Sequence, residues 1–411
     1  MKKRLLSLLL ALALVFSVLP QLALAADAAG SCGTNLSWSF DEATGTLTIT
    51  GSGAMTDYDW TGNPDWQAFR RQVKTVTLPA GLTSVGSCAF IRFPITGTVV
   101  IPEGVTRIGM AAFDDTDLSA VTIPDSVKTI EFSAFGSCDN LTAVTLPAGL
   151  TELSEEIFAG STGLQSFTVP EGVKAIRSRA FQGCTGLKSV TIPDSVTVIE
   201  DNAFNLCGLE SFTIGPKVTS FGHKAIGGNR SLAAIEVDPA NPNYASDGGV
   251  LYNKAKTVLL QCPCGKTGAY ELPASVTAID KEAFEFCSGL TGLTMAAPVT
   301  TIGDDAFRDC IGLTELTLPG SLKTIGWTAF YGCGFEQIRI PESVTGVACD
   351  AFAYCPNLKA VKVMNKSLEI GDADYTFGDP ETTIVFGHSG STAASASARL
   401  ATMRRRTSSG L

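Results

Sequence analysis

Histidine, cysteine and clustered carboxylates are the side chains most able to do chemistry, and this chain of 411 residues uses them unevenly. It has two histidines, His223 and His388, neither with a motif partner in its own segment. The patterns Gly-x-Ser-x-Gly, Gly-x-x-x-x-Gly-Lys and His-Glu-x-x-His do not occur. The usual signatures of acyl transfer, phosphate cradling and zinc hydrolysis are therefore missing, and the chain reads as a non-enzyme with no cofactor. Of the 12 cysteines, Cys138, Cys184, Cys207, Cys287, Cys310, Cys333 and Cys355 each fall three residues after a recurring phenylalanine. Recurrence at one position reads as a small buried residue rather than as a metal array or disulfide ladder. Cys32, Cys88, Cys262, Cys264 and Cys349 lie outside that file, and Cys262-Pro263-Cys264 has no second pair at zinc spacing. Asp114-Asp115-Thr116-Asp117 and Asp372-Ala373-Asp374 lack the turn glycine and distal glutamate of a calcium loop and read as solvated loops; Asp304-Asp305 reads as an exposed turn.

Binding is the remaining chemistry. A net charge of −10 argues against a nucleic-acid partner. Tyr58, Trp60 and Trp66 precede the regular part of the chain and are expected to plug its open end. One outward strand position carries Thr77, Thr122, Thr145, Thr168, Thr191, Thr213, Thr294 and Thr317, with departures to Glu236, Glu271, Arg339 and Lys362. Thr145, Thr168, Thr191, Thr317, Glu236, Glu271, Arg339 and Lys362 are the candidate ligand-facing residues. Threonine is also an ordinary exposed strand residue.

What positions these residues is a repeat. Phe90, Phe113, Phe135, Phe158, Phe181 and Phe204 follow one another at 22 or 23 residues, as do Phe284, Phe307, Phe330 and Phe352. Ile226 occupies the next slot after Phe204, and the 58 residues from there to Phe284 read as one period plus a 35-residue insert. Within a unit, Val190 and Ile192 alternate with Ser189 and Thr191, the rhythm of a half-buried strand. Pro193 follows, with no N–H to donate, and marks the strand's end. Val196 and Ile199 then lie three apart, and Ala134, Phe135, Cys138 and Leu141 fit one face of a short helical or 3₁₀ turn. One unit buries too little to offset its own ordering, so the units must stack into a solenoid whose strands form one long parallel sheet.

The pattern Leu-x-x-Val-x-Ile-Pro-x-x-Val-x-x-Ile-x-x-x-Ala-Phe-x-x-Cys resembles the BspA-like class of bacterial leucine-rich repeats. That resemblance implies an α/β solenoid over residues 73–386, with a parallel sheet on one face and short helical turns on the other. Asp247–Tyr252 with Thr257–Leu260 resembles the hairpin of that group, within an insert at about 236–270. Residues 26–72 are similar to its small N-terminal β cap, and 387–411 to its closing segment and tail, with a short helix expected over Ser391–Met403.

Lys2-Lys3-Arg4, the apolar run Leu5–Leu19 and the exit Ala23-Leu24-Ala25 have the layout of a signal peptide over residues 1–25, cleaved near Ala25. The apolar run is about 15 residues, short of the ~20 that span a bilayer, and no membrane span is expected in the mature chain. The expected product is secreted or surface-held and non-catalytic. Its expected partner is a protein or glycan of a host or neighbouring cell, adhesion being what the resemblance adds. A structural envelope scaffold without a soluble ligand is the other reading.

Overall fold

The computed structural model describes residues 28–60, 64–296, 298–370, 376–377 and 383–386. Residues 1–25, read above as a signal peptide, together with Asp372–Asp374, His388 and the segment Ser391–Met403, lie outside the described residues. The remainder is a solenoid, and its coils are held to one another by three runs of backbone hydrogen bonds.

The front run is made by the alternating strands. Ser166–Thr168 pairs in parallel with Ser189–Thr191, residue abreast of equivalent residue, so Phe167 meets Val190 inside and Thr168 meets Thr191 outside. The rear run comes from the second apolar segment, which is a two-residue strand rather than a helix. Val196 N–H closes a turn onto Pro193 O at 3.1 Å, and Val198–Ile199 then pairs with Ala175–Ile176. The expected single long sheet is thus two ladders, and the front one is divided into groups of two or three strands.

The third run replaces the expected helical turn. Ser133 and Ser137 flank Phe135 with φ near +52°, Arg179 and Gly183 flank Phe181, and Asn202 and Leu206 flank Phe204, all with positive φ. Helices need consecutive negative φ, so none forms; the one helix among the described residues is the 3₁₀ turn Asp65–Phe69. Instead, alternate N–H groups point to the next coil. Ser133, Phe135 and Ser137 donate to the carbonyls of Glu155, Ile157 and Ala159, while Ala134 and Gly136 donate three residues back.

Inside, the rings form a column. Trp66 lies over Phe90 at 6.0 Å, and Phe90, Phe113, Phe135, Phe158, Phe181 and Phe204 continue it at 5.1–6.1 Å between centroids. That spacing is close to the ~4.8 Å between paired strands. The second column runs from Phe284 to Phe352 at 4.7–5.2 Å and ends on Phe377. All ten ring-slot phenylalanines from Phe90 to Phe352 are wholly buried. At the N-terminal end, Trp66 is buried with Trp38 and Tyr58 edge-on to it, whereas Trp60 is exposed.

Between the columns the chain completes an enlarged coil. Cys262 takes the ring slot, donating its N–H to Ala283 O as Phe204 donates to Ala225 O. It lies 36 residues after Ile226 and 22 before Phe284. The surplus is an antiparallel hairpin, Tyr244–Asp247 with Val250–Asn253, and the second strand pairs onward with Val258–Gln261. Side chains on a strand alternate between faces, and this strand uses both. Leu251 packs into the N-terminal core, Val250 and Tyr252 into the C-terminal one. The hairpin is a partition between two hydrophobic cores.

Candidate functional site

Three places hold the residues singled out by sequence: the front face, the buried thiols and a cleft beside the partition.

On the front face, Thr145, Thr168, Thr191, Thr317, Glu236, Glu271, Arg339 and Lys362 are all exposed. Pairing sets their neighbours. Thr145 lies abreast of Thr122, Thr168 of Thr191, Glu236 of Thr213 and Glu271 of Thr294. Thr317 follows immediately after the strand Glu315–Leu316. Arg339 lies abreast of Lys362, and Lys362 abreast of Phe386. The structure brings the two cations together and sets the two acids apart. Between Ala234–Val237 and Gly268–Glu271 the hairpin tip intrudes: Ile235 N–H donates to Gly249 O at 2.9 Å, and Val237 N–H to Ser246 Oγ at 3.2 Å. Gly249, at φ +76°, sits so close to Ala234 that a Cβ would lie 2.9 Å from the alanine methyl.

The thiols are donors as well as filler. Cys184, Cys207, Cys310, Cys333 and Cys355 each donate Sγ–H to the ring-slot carbonyl of the preceding coil at 3.0–3.1 Å, and Cys138 does so at 3.2 Å. Ser161 Oγ and Asn229 Nδ2 perform the same task for Phe135 and Phe204. Burial pushes the Cys138 thiol up to about 11 and those of Cys184 and Cys355 to about 12. A thiol so held is neither a nucleophile nor a ready metal ligand. Cys287, in the same file, meets the sulfurs of Cys262 and Cys264, and these contacts together with burial hold its thiol high. No three His, Cys, Asp or Glu side chains among the described residues converge as a metal site.

Two acidic stretches differ from the solvated reading. Asp114 is half-buried and accepts a hydrogen bond from Ser133 Oγ at 3.0 Å; burial raises its carboxyl to about 6 against that bond. Asp305 is buried, accepting from Thr328 Oγ1 and pairing with Arg308 Nη1 at 3.1 Å, while Asp304 accepts Trp327 N–H at 2.7 Å. Both are positions where a side-chain oxygen satisfies a neighbouring coil.

The cleft, of about 190 Å³, opens where the rear ladder breaks, and Phe221, His223, Lys224, Tyr244, Gln261 and Glu282 contribute to its walls. His223, without a partner in the sequence, has one here: Nε2 meets Glu282 Oε2. Lys224 Nζ lies 3.3 Å from Glu282 and 3.0 Å from Glu285. Burial works against the Lys224 ammonium, but the hydrogen bond and charge of Glu285 hold its pKa above the ordinary lysine value. Burial likewise raises Glu285, and Lys224 opposes it. A histidine beside a carboxylate can serve as a base, yet the lining holds no serine, threonine or cysteine for it to activate. The cluster closes on itself as an ionic clasp across the partition. Sequence missed it because the enlarged coil sets Glu282 59 positions after His223. Their shared place just before the ring slot was the available signal.

The chain matches the family described as BspA type Leucine rich repeat region in six copies, over residues 66–116, 106–233 and 266–387. The unmatched 234–265 is the enlarged coil. Among solved structures, it is similar to a leucine rich cell surface protein from Faecalibacterium prausnitzii, at 27% identity and a TM-score of 0.65. That match covers 84% of this chain and 94% of the other. The pneumococcal vaccine antigen PcpA shares the fold at 23% identity and a TM-score of 0.61, over 89% and 94% of the two chains. A leucine-rich repeat protein from Bacteroides ovatus does so at 22% and 0.53, over 82% and 98%. No curated protein sequence matches the chain. The ring-slot columns, the strand–proline–strand coils and the six matched copies together place this chain in the BspA-type leucine-rich repeat family.

Proposed function

We propose that the protein is exported and acts at the bacterial surface as a non-catalytic binder, holding a protein or glycan on its front sheet. The observation that carries this is the front face itself. Within each group of paired strands its outward side chains stand in register, and they are exposed at every candidate position. Stacked repeats offer such broad shallow faces in place of closed pockets. The signal-peptide layout at residues 1–25 supports export, and the similar Faecalibacterium prausnitzii chain is described as a cell surface protein. Among the described residues no helix is long and apolar enough to cross a membrane. The self-neutralised His223–Glu282–Lys224 clasp supports a structural junction rather than a catalytic centre. The test is retention of purified residues 26–411 on host matrix proteins, mucin and glycan arrays. Retention lost on substituting outward front-strand residues is the expected result, and no retention on any surface refutes the reading.

A further inference from the structure

We infer that the last three front strands form a site for a carboxylated glycan, held through Arg339 and Lys362 with Phe386 as its apolar ledge. This rests on the front-sheet reading above and names the partner's chemistry. The strands Gln337–Ile340, Ala360–Val363 and Ile384–Phe386 pair in register. Two outward rows result, Gln337–Ala360–Ile384 and Arg339–Lys362–Phe386. In the second row two cations stand directly abreast, about 5 Å apart at Cβ by the spacing of paired strands, and like charges so placed repel.

Among the described residues no ion pair relieves that repulsion. Other arginines are bridged: Arg107 lies between Asp57 at 2.9 Å and Glu131 at 2.6 Å, and Arg177 between Glu152 at 2.6 Å and Glu200 at 2.7 Å. Among the described residues no carboxylate pairs with Arg339 or Lys362, although the chain carries 40 acids against 30 bases. An anion lying across both would turn the repulsion into two charge-assisted bonds.

The neighbouring strand narrows the choice of anion. Ile384 and Phe386 are 50% and 53% exposed, a small apolar area one strand from the cations. The guanidinium fork of Arg339 matches a planar carboxylate. In a uronate-type sugar the carboxyl carbon is attached directly to the ring, so a bound carboxylate sets the ring's C–H face over Phe386. An acidic peptide in strand form would seek a sheet edge for its backbone bonds. Here the row Arg339–Lys362–Phe386 runs across the three strands, perpendicular to the line that a strand added at an edge would take, so such a peptide would not lie along both cations.

The experiment measures binding of the mature chain to immobilised polygalacturonate, dextran sulfate, neutral dextran and poly-glutamate, with mucin and matrix proteins on the same array. The inference expects polygalacturonate to be bound most tightly and neutral dextran not at all, with binding weakening as salt rises. Arg339→Ala with Lys362→Ala should lower affinity for polygalacturonate at least about tenfold. Phe386→Ala should lower it about threefold with the salt dependence unchanged, and Lys188→Ala with Lys217→Ala should leave it as it was. Equal or tighter binding to dextran sulfate or poly-glutamate, or a double variant that binds like wild type, overturns the inference. If polygalacturonate is ignored while mucin or matrix proteins are still retained, this site assignment falls and the binding-face reading survives. Silence on every surface removes both.

Discussion

Between Trp66 and Phe204 each coil repeats the one before it; between Phe221 and Glu282 none does. In the first region a ring in one slot, a proline after each front strand and two left-handed residues around the ring let the turn-face ladder run without interruption, while the front and rear ladders continue in shorter groups of strands. In the second, the slot holds Ile226 and then Cys262, a hairpin strand divides the core, and side-chain ion pairs do work that backbone bonds do elsewhere. The turn-face ladder passes from Phe204 to Ala225 and resumes from Cys262 to Ala283, and no such backbone bond joins Ile226 to Gln261 among the described residues. A repeat array is stabilised mainly by the interfaces between neighbours. A molecule with one irregular interface therefore has a preferred place to open.

Substitutions can break or sharpen that contrast. The largest effect is expected in the regular region: Phe181→Ala leaves a cavity in a closed column and should cost ~3–5 kcal/mol in denaturant unfolding. Thr191→Ala on the outer face should cost under ~1 kcal/mol. Equal melting temperatures for these two would contradict the inward and outward assignment. At the partition, Tyr252 Oη and Tyr270 Oη lie 2.5 Å apart, with Tyr270 Oη 3.4 Å from Asp247 O. Tyr252→Phe should therefore cost ~1–2 kcal/mol through the bond lost to Tyr270. A destabilisation equal to that of Phe181→Ala would mean the partition is as tightly packed as the columns.

Asp114 tests a local weakness within the regular region. Its folded carboxyl titrates at about 6, against about 3.9 in an unfolded chain. The folded state thus binds the proton more tightly, and stability falls as pH rises through that window. Asp114→Asn should recover about 1 kcal/mol at pH 7.5 and nothing near pH 3.5. A gain that is the same at both pH values would exclude burial of the charge as its cause. The smallest change is expected for Cys184→Ser, under ~1 kcal/mol, since Ser161 already donates to Phe135 O at 2.8 Å in an equivalent position.

Much of this was legible in the residues. The ring slot and the outward threonines follow from spacing alone, because a period of 22 or 23 leaves one register for each. Cys262 was hidden, being neither aromatic nor 22 residues after Ile226, and Phe377 lies 25 residues beyond Phe352. The turn was misread as helical because its left-handed position before the ring is filled by Ser133, Arg179 and Asn202, and glycine, which announces positive φ, takes the position after the ring only in some coils, as at Gly160 and Gly183. The buried roles of Asp114 and Asp305 depend on partners one coil away, Ser133 and Thr328, a distance that local polarity does not report. Front-face neighbours such as Arg339 and Lys362 could be aligned from the repeat, but not the hairpin tip that separates Glu236 from Glu271.

Residue-resolved amide hydrogen exchange on the intact protein tests the central claim most directly, that two continuous columns meet at one irregular interface. The account predicts slow exchange at Phe90, Phe113, Phe135, Phe158, Phe181 and Phe204 and again at Phe284, Phe307 and Phe330, with protection dropping sharply at Lys224 and Ile226. A profile with no dip at that interface, or with the ring-slot amides exchanging freely, would contradict it.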